Sequence, residues 1–196
     1  MSRARTGGLL LAAGRARRFG SDKRFAKVSG DETMLARSAR LLAEAVDDCL
    51  LVIGSGDDLA AFTVLLPGWR IVRAEASDSG MGASLAAGTR AAPAEWEGML
   101  VALADKPFVK PSTLQLVRAT LDAEIVVPRH GGEWGHPVAF PKRLFPALAA
   151  LAGDVGARGI IERERSRCRF LDVDDAGVLI DVDTPAALAT AYLQGL

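Results

Sequence analysis

Short apolar segments alternate along this chain with longer segments of helical periodicity, and this alternation constrains the fold more than any other feature does. The apolar segments with strand character are residues 8–12, 50–53, 99–103, 125–127 and 178–182. They lack the two-residue alternation of half-exposed strands, as is expected when helices cover both faces of a mostly parallel sheet. The pattern therefore predicts a three-layer α/β fold built from βαβ units.

The intervening segments refine this prediction. "ETMLARSARLLAEAV" places apolar residues on one helical stripe, and "PSTLQLVRATL" opens with a proline suited to the first turn of a helix. Both helices are predicted to pack on the sheet. The segment "RHGGEWGHPVAF" breaks the pattern and is predicted to form a small hairpin that leaves the main sheet. No repeat or linker divides the chain, so we expect one domain over residues 1–196.

Charge balance and cysteine content limit the classes of function. The chain carries 24 Lys and Arg against 24 Asp and Glu, so no overall field attracts it to nucleic acid or to an anionic membrane. Cys49 and Cys168 form no C-x-x-C motif, which is typical of a reduced cytoplasmic protein. No apolar run approaches the roughly 18 residues that a membrane span needs. We therefore expect a cytoplasmic protein without nucleic-acid or membrane partners.

The loop after the first apolar segment has the composition of an anion site. "LLLAAGRARRFGSDK" runs from Leu9 to Lys23, and residues 15–24 contain four arginines and one lysine beside glycines at positions 14 and 20. Glycines let backbone amides approach a phosphate closely, and the cations supply the charge. The loop fits neither the P-loop G-x-x-x-x-G-K-S/T nor the dinucleotide motif G-x-G-x-x-G. The alternative is a solvated turn whose arginines only keep the protein soluble.

This loop also carries a family resemblance. "LAAGRARRFGSDK" resembles L-A-A/G-G-x-x-x-R-M-G-x-x-K, the signature of the MobA-like nucleotidyltransferases. Later segments are similar, in the same order, to the molybdenum cofactor cytidylyltransferases of that family: "GMGASLAAG", "LADKPFV", "GHPVAF", "LAGDVGAR" and "DVDTPAAL". The resemblance implies a Rossmann-like fold of the nucleotide-diphospho-sugar transferase type. It also implies Mg²⁺-dependent transfer of CMP from CTP to molybdopterin, with release of pyrophosphate and a molybdoenzyme as receiver of the product.

Three alternatives to this activity remain open. Residues 20–23, G-S-D-K, also resemble the G-x-D-K of the sibling guanylyltransferases, so GTP is a second candidate nucleotide. A different phosphorylated acceptor is another alternative within the same chemistry. Outside the enzymes, the chain would be a nucleotide sensor or a chaperone that carries the cofactor, although pure binding does not need a full set of charge-stabilising residues.

The resemblance implies a catalytic set of two cations and one carboxylate, namely Arg18, Lys23 and Asp105. Transfer at the α-phosphorus builds negative charge on the bridging oxygen and on the departing pyrophosphate, which fixed cations stabilise. The other cations of the loop fall at variable positions of the motif and are predicted to be surface charge: Arg15, Arg17 and Arg24.

The implied nucleotide-binding residues, besides Arg18 and Lys23, lie in two segments: Leu11, Ala12, Ala13 and Gly14, then Gly80, Gly82 and Ser84. The backbone of Ala12 and Ala13 is expected to face the base edge, and the glycines are expected to allow close approach of the ligand. Without the resemblance, the second segment reads only as a helix entry with Ser84 in its first turn.

The implied Mg²⁺ ligands are Asp105 and Asp183. Asp105 follows an apolar segment at the carboxyl end of a predicted strand, where the ligands of such sheets bind. Asp181 and Asp183 lie two residues apart in a strand-like segment and so are predicted to face the same side, with Asp183 preferred as the second ligand. Asp183 has an alternative role at a helix start, where Thr184 would be the cap and Pro185 the first turn.

The resemblance assigns five residues to the molybdopterin side: Gly135, His136, Pro137, Asp154 and Arg158. The attacking phosphate monoester is already an anion, so His136 is expected to position the acceptor rather than to act as a base. Asp154 and Arg158 have the spacing of an ion pair on one helix. Trp134 either covers the flat pterin or packs in the core, and Lys106 departs from the Met that is common in the family beside Asp105.

Overall fold

The computed structural model describes residues 5–14 and 22–193, and strands and helices alternate through most of them. The strands are β1 (Arg5–Leu11), β2 (Lys27–Ser29), β3 (Glu32–Thr33), β4 (Asp48–Gly54), β5 (Arg70–Ala74), β6 (Trp96–Leu103), β7 (Ile125–His130), β8 (Glu133–Trp134), β9 (Val138–Pro141) and β10 (Cys168–Asp172). The helices are α1 (Met34–Ala43), α2 (Leu59–Leu65), α3 (Met81–Arg90), α4 (Pro111–Thr120), α5 (Phe145–Ala149), α6 (Arg158–Arg163) and α7 (Pro185–Leu193). Short 3₁₀ helices at Lys23–Phe25, Ser77–Ser79 and Ala176–Val178 lie near the site described below. No helix in these residues is long and apolar enough to span a membrane.

The main sheet has eight strands and is mostly parallel, in the order β10-β7-β9-β6-β1-β4-β5 with β8 added to β7. Strand β1 lies at the centre and pairs in parallel with β4 on one side and β6 on the other. Strand β9 runs antiparallel between β6 and β7, whereas β2 and β3 form a separate two-stranded ribbon. This order brings the carboxyl ends of β1, β4 and β6 to one edge, where open α/β sheets bind their ligands.

Helices cover both faces of the sheet because successive residues of each buried strand point to opposite sides. Leu10 of β1 joins an apolar cluster with Leu35 of α1 and residues of α2 and α4. Its neighbour Leu9 joins the opposite cluster with Leu85 of α3 and residues of α5 and α6. Both strand leucines are completely buried. The three-layer α/β fold expected from the sequence is therefore confirmed.

The predicted helices are confirmed in α1 and α4, and their first turns show why they begin where they do. The hydroxyl of Thr33 accepts a hydrogen bond from the Ala36 amide at 3.2 Å at the start of α1, and Pro111 occupies the first turn of α4. The cap expected before α7 is also present, because the Thr184 hydroxyl accepts from the Ala187 amide at 3.1 Å. The two threonine hydroxyls each satisfy a backbone amide that the helix itself leaves without a partner.

Strand predictions are confirmed for four of the five apolar segments, which overlap β1, β4, β6 and β7. The strand prediction for the fifth segment, residues 178–182, is wrong. This segment begins in the 3₁₀ helix Ala176–Val178 and then pairs with no strand. The Val182 amide donates instead to the Asp105 carbonyl at 3.0 Å. A Cβ atom on Gly177 would lie 2.1 Å from the carbonyl oxygen of Phe108. The apolar pattern here reflects packing against the loop after β6.

Three further strands differ from the sequence prediction. Strands β5 and β10 were not predicted, because as edge strands they carry charges such as Arg70 and Asp172 that interrupt the apolar pattern. The predicted hairpin at residues 129–140 is correct where β8 pairs with β7. It is wrong in leaving the main sheet, because β9 is buried and lies between β6 and β7.

The close fit of α3 on the sheet yields a first prediction. A Cβ atom on Gly88 would lie 2.6 Å from side-chain atoms of Leu9 and Val52, whereas one on Gly159 in α6 meets nothing within 4 Å. We expect Gly88→Ala to lower the free energy of unfolding by about 1–3 kcal/mol through overpacking. Gly159→Ala, the matched control, should raise it by up to about 1 kcal/mol through the helical preference of alanine. Urea unfolding of both variants measures the difference, and equal effects of the two would contradict this packing.

Candidate active site

Lys23, Asp105 and Asp183 come from three distant segments and meet at the carboxyl edge of the sheet. Lys23 begins the first 3₁₀ helix, Asp105 follows β6, and Asp183 precedes α7. The Nζ atom of Lys23 donates to Oδ2 of Asp105 at 2.8 Å and to Oδ1 of Asp183 at 2.6 Å. Only 10% of the Lys23 side chain is exposed. The fold thus converts three separate sequence positions into one compact charged group.

Apolar packing beneath these charges holds the two aspartates in place. Val182 precedes Asp183, is completely buried, and joins Phe108 and Ala191 of α7 in a small apolar cluster. Its amide hydrogen bond to the Asp105 carbonyl links the segment before α7 to the loop after β6. Burial of Val182 therefore sets the distance between the two carboxylates.

A second lysine–aspartate pair links the same two segments. The Lys106 Nζ atom lies 2.8 Å from Oδ1 of Asp181, and only 6% of the Lys106 side chain is exposed. Asp181 and Asp183 therefore pair with different lysines. The expectation that they share one face of a strand depended on a strand that the described segment does not form. Lys106, singled out as a departure from the family pattern, is a buried partner of Asp181 rather than a solvent-facing cation.

Electrostatics keep Lys23 charged. Burial by itself lowers the pKa of the Lys23 ammonium, but the charges and hydrogen bonds of Asp105 and Asp183 outweigh burial and raise this pKa above its ordinary value. A lysine with a raised pKa carries its full charge at neutral pH. The ammonium can therefore serve as a fixed cation toward an anionic ligand at this edge.

Asp105 and Asp183 have the donor set of a divalent-cation site. Their oxygens already converge on one positive charge, the ammonium of Lys23. Two carboxylates leave room for water and phosphate oxygens, which is the coordination that Mg²⁺ prefers. Within residues 5–14 and 22–193 no group of three or more His, Cys, Asp or Glu side chains converges on a metal position. A cation at these two carboxylates would thus take its other ligands from the substrate and from water.

A cavity of about 290 Å³ opens beside these charges, between the end of β1 and the start of α3. Six residues of the predicted nucleotide and metal sets line it: Leu11, Ala13, Gly14, Gly80, Ser84 and Asp105. Sequence reasoning missed Ser77 and Asp78, which also line the cavity from the 3₁₀ helix before α3. Their position directly before the G-M-G motif was the available signal.

Three of the predicted nucleotide-binding residues that the structure describes do not line this cavity: Lys23, Ala12 and Gly82. Both backbone groups of Ala12 have partners within the protein: its amide donates to the Val52 carbonyl at 2.8 Å, and its carbonyl accepts from Arg24 at 2.6 Å. The Ala12 amide is therefore not free to bind a base edge, whereas Ala13 does line the cavity. Gly82 packs away from it, because a Cβ atom there would lie 2.4 Å from the carbonyl oxygen of Val155.

The glycines of the G-M-G motif serve close packing within the protein. Gly80 has a φ of +119°, and a Cβ atom there would lie 2.3 Å from the Cα atom of Asp154. The motif thus allows the segment that precedes α6 to lie directly on the start of α3. Asp154, which precedes α6, therefore lies against Gly80 in the wall of the cavity.

A second cavity, of about 250 Å³, lies on the other side of Met81 and has mostly apolar walls. Three residues assigned to the acceptor side line it, namely Gly135, His136 and Arg158, and so does Trp134. Pro137 and Asp154, the other two, do not. The two cavities share Leu11, Met81 and Leu103, so a ligand of the second cavity would lie directly beside a ligand of the first.

Arg158 stands at this second cavity with partners that differ from the predicted one. Helix α6 begins at Arg158, so Asp154 does not share a helix with it. Arg158 pairs instead with Glu162, one turn later, at 3.0 Å. Its guanidinium also lies 5.6 Å from the centre of the Trp134 ring. Trp134 packs in turn on Phe170 at 5.4 Å, so it both lines the cavity and belongs to an aromatic cluster.

His136 lines the second cavity and lies near Lys106 and Asp105. Its amide donates to the Val178 carbonyl at 3.0 Å, and the peptide bond to Pro137 is cis. Burial and the charge of Lys106, opposed by the charge of Asp105, together lower the pKa of His136 to about 4. The ring is neutral at physiological pH and a weak base. This agrees with a positioning role and not with proton transfer.

Arg24, which was predicted to be surface charge, is buried, and that prediction is wrong. Only 6% of the residue is exposed. Its guanidinium contacts the side chains of Asp22 and Asp57 and the Ala12 carbonyl. The sequence offers no signal for this, because the two aspartates are charged residues that the chain pairs only after folding. Arg15, Arg17 and Arg18 lie outside the described residues.

The sequence and the fold match a known family. Residues 8–168 match the MobA-like NTP transferase domain. The chain belongs to this family, and the resemblance noted in its sequence is confirmed. It is therefore a nucleotidyltransferase by family.

Relatives of known sequence or structure extend over almost the whole chain. The purine catabolism protein PucB of Bacillus subtilis is 27% identical over 190 residues, 91% of each chain. Nicotine blue oxidoreductase of Paenarthrobacter nicotinovorans is 29% identical over 192 residues, 90% of this chain and 91% of that one. The crystal structure of Rv0371c from Mycobacterium tuberculosis superimposes with a TM-score of 0.82 and 30% identity, covering 97% and 98% of the two chains. Rv0371c has also been solved as a complex with manganese, so a divalent metal binds within this family.

The buried neutral ring of His136 predicts a pH dependence of stability. An ordinary histidine has a pKa near 6.5, about 2.5 units above the folded value, so protons bind the unfolded chain more tightly. The contribution of the neutral His136 ring to the free energy of unfolding is fully present above pH 6.5 and is lost as the pH falls toward 4. We expect His136→Asn to reduce the slope of the unfolding free energy in this window, measured by urea unfolding at several pH values. His130→Asn, the same change in the other histidine, is the control, and an equal loss of slope in both variants would contradict the assignment.

The position of Lys23 between two carboxylates predicts that Mg²⁺ affects the thermal stability of the protein once this lysine is removed. Lys23→Met would leave Asp105 and Asp183 close together without the cation between them. We expect this variant to melt at a lower temperature than wild type in EDTA and to recover more stability on addition of Mg²⁺, because the metal replaces the lost charge. Thermal melts with and without Mg²⁺ measure both. Lys27→Met, which breaks an exposed pair with Asp31, is the control. An equal Mg²⁺ response in the wild type and Lys23→Met would argue against a shared charge site.

Proposed function

We propose that the protein transfers CMP from CTP to molybdopterin and releases pyrophosphate. The observation that carries the proposal is the Lys23 ammonium held between Asp105 and Asp183, together with the cavity beside β1 that Asp105 lines. The family supplies the reaction class, and the motifs similar to cytidylyltransferases supply the nucleotide and the acceptor. The manganese complex of Rv0371c supports the divalent metal, for which Mg²⁺ is the proposed physiological ion.

In the proposed reaction, a phosphate oxygen of the acceptor forms a bond to the α-phosphorus of CTP. The bond from that phosphorus to the bridging oxygen breaks, and pyrophosphate leaves with the electron pair. Lys23 holds its positive charge beside the group that gains negative charge, and Arg18 is proposed to act with it. Asp105 and Asp183 would hold Mg²⁺, which neutralises phosphate charge when bound. No base is required, since the acceptor phosphate is already an anion.

The second cavity supports an acceptor with a flat aromatic body. Its walls include Val101, Val127 and Phe140, and the Trp134 ring lines its mouth with Arg158 above that ring. A sugar chain would leave its hydroxyl groups without partners against such walls. A fused heterocycle gains apolar contact there, and Arg158 offers a cation to an anionic group. These features favour a pterin over a polyol phosphate as the acceptor.

The decisive experiment measures Mg²⁺-dependent pyrophosphate release from CTP, GTP, ATP and UTP in turn, each with molybdenum-loaded molybdopterin. We expect release with CTP, reduced on the order of 10³-fold in Asp105→Asn because that change removes a metal ligand and a partner of Lys23. Asp31→Asn, at a carboxylate that is 96% exposed, should match the wild type. Release with GTP alone would indicate the sibling guanylyltransferase activity. Binding of CTP and Mg²⁺ without any pyrophosphate would favour a nucleotide sensor or a chaperone.

The name of one relative motivates a second assay. Nicotine blue oxidoreductase shares 29% of its residues with this chain, so an oxidoreductase activity is the alternative from another class. The loop after β1 lacks the glycine spacing of a dinucleotide site, G-x-G-x-x-G. We therefore expect no consumption of NADH or NADPH above a no-enzyme control with a quinone acceptor. Consumption that Asp105→Asn leaves intact would point to a separate redox site.

A further inference from the structure

The buried guanidinium of Arg24 joins three loops at the edge of the sheet where the candidate active site lies. Its partners are Asp22, directly before Lys23, the carbonyl of Ala12 after β1, and Asp57 after β4. The Phe62 ring of α2 covers the guanidinium at 4.8 Å. Arg24 therefore links the segment that carries Lys23 to the described residues after β1 and after β4.

A cation next to a phosphate-binding loop can either bind the phosphate or hold the loop in place. The hydrogen bonds of Arg24 show which of the two it does. A guanidinium has five N–H donors. Nε donates to Asp22 at 2.8 Å, Nη1 to the Ala12 carbonyl and to Asp57 at 2.6 Å each, and Nη2 to Asp22 and to Asp57 at 2.6 Å each. All five donors are thus used within the protein. Arg24 has none left for a phosphate oxygen.

The charges of the cluster agree with this. Arg24 faces two carboxylates, Asp22 and Asp57, which offset the positive charge of its own guanidinium. Asp57 is 12% exposed and also accepts a hydrogen bond from the Gly54 amide at 2.6 Å. The cluster is therefore a structural tie between loops and not a second part of the phosphate site.

The tie acts on two features of the candidate site. Through the Ala12 carbonyl it sets the path of the backbone that continues into Ala13 and Gly14, which line the cavity beside Asp105. Through Asp22, whose side chain also accepts from the Arg24 amide at 3.1 Å, it holds the start of the 3₁₀ helix that carries Lys23. One guanidinium thus fixes the cavity wall and the lysine relative to each other.

We infer that Arg24 is a positioning residue that aims Lys23 and the loop after β1, without touching the nucleotide. The inference rests on the proposed function only for the reaction that Lys23 serves; the tie itself is independent of any substrate. Lysine cannot replace Arg24, because its ammonium has three donors and lacks the planar fork that spans both carboxylates. Arg24→Lys therefore keeps the charge and removes the geometry.

A first experiment tests the tie without nucleotide. Hydrogen exchange of the ligand-free protein should quicken by roughly ten-fold or more at residues 12–14 and 22–26 in Arg24→Lys, because charged hydrogen bonds to those segments are lost. Exchange in β7 and β9 should be unchanged. Arg118→Lys is the matched control: Arg118 pairs with Asp47 at 3.0 Å, near the amino end of β1, and 22% of its side chain is exposed. Unchanged exchange at residues 12–14 and 22–26 in Arg24→Lys would overturn the inference.

A second experiment asks whether the tie acts through Lys23. We expect Arg24→Lys to lower kcat on the order of 10²-fold with a smaller change in KM, since a displaced catalytic group costs about that much. In the Lys23→Met background the same change should cost little, because there is no longer a lysine to aim. A cost that is the same in both backgrounds would show a general structural role and overturn the inference. If no nucleotide is turned over, the proposed function fails, and the exchange result alone decides on the tie.

Discussion

The structure depends on the burial of β1, from Thr6 to Leu11, between two parallel neighbours. Leu9 and Leu10 fill opposite cores, and β4 and β6 take the backbone hydrogen bonds on both edges of the strand. A strand enclosed on four sides can meet a ligand only at its end. Glycine and cationic residues therefore follow the carboxyl end of β1 in the sequence. The segments after β4 and β6 place Asp57 and Asp105 at the same edge of the sheet.

Three buried cations at that edge show how the protein balances charge against burial. Lys23, Arg24 and Lys106 are each less than a tenth exposed, and each has aspartate partners from other segments. A buried cation without a partner is strongly unfavourable, so each pair constrains the segments that it joins. Lys23 differs from the other two because its partners are also suited to a metal. The ion pairs in this region therefore hold distant segments together, and the pairs of Lys23 also bring together the carboxylates of the candidate metal site.

Several features of the site were accessible from the sequence. Asp105 follows an apolar run, and in a parallel sheet such a residue must lie at the ligand-binding edge, which is where it is found. Thr184 and Pro185 are typical of a helix start, and α7 begins there. Other features required long-range contacts that no local pattern records. The pairing of Lys106 with Asp181 and the burial of Arg24 depend on segments that approach one another only in the folded chain. The variable position of Arg24 in the family motif wrongly indicated surface charge.

Periodicity and motif order determined the α/β class, the helices α1 and α4, and the family, because these depend on short-range patterns of apolar and glycine residues. The tertiary structure decided which charges meet. It placed the segment before α7 along the loop after β6 instead of in the sheet, and it used the glycines of the G-M-G motif to seat the segment before α6. The physical reason is the same in each case: hydrogen bonds and ion pairs between distant segments form only when packing brings them within about 3 Å, a condition that a linear sequence does not state.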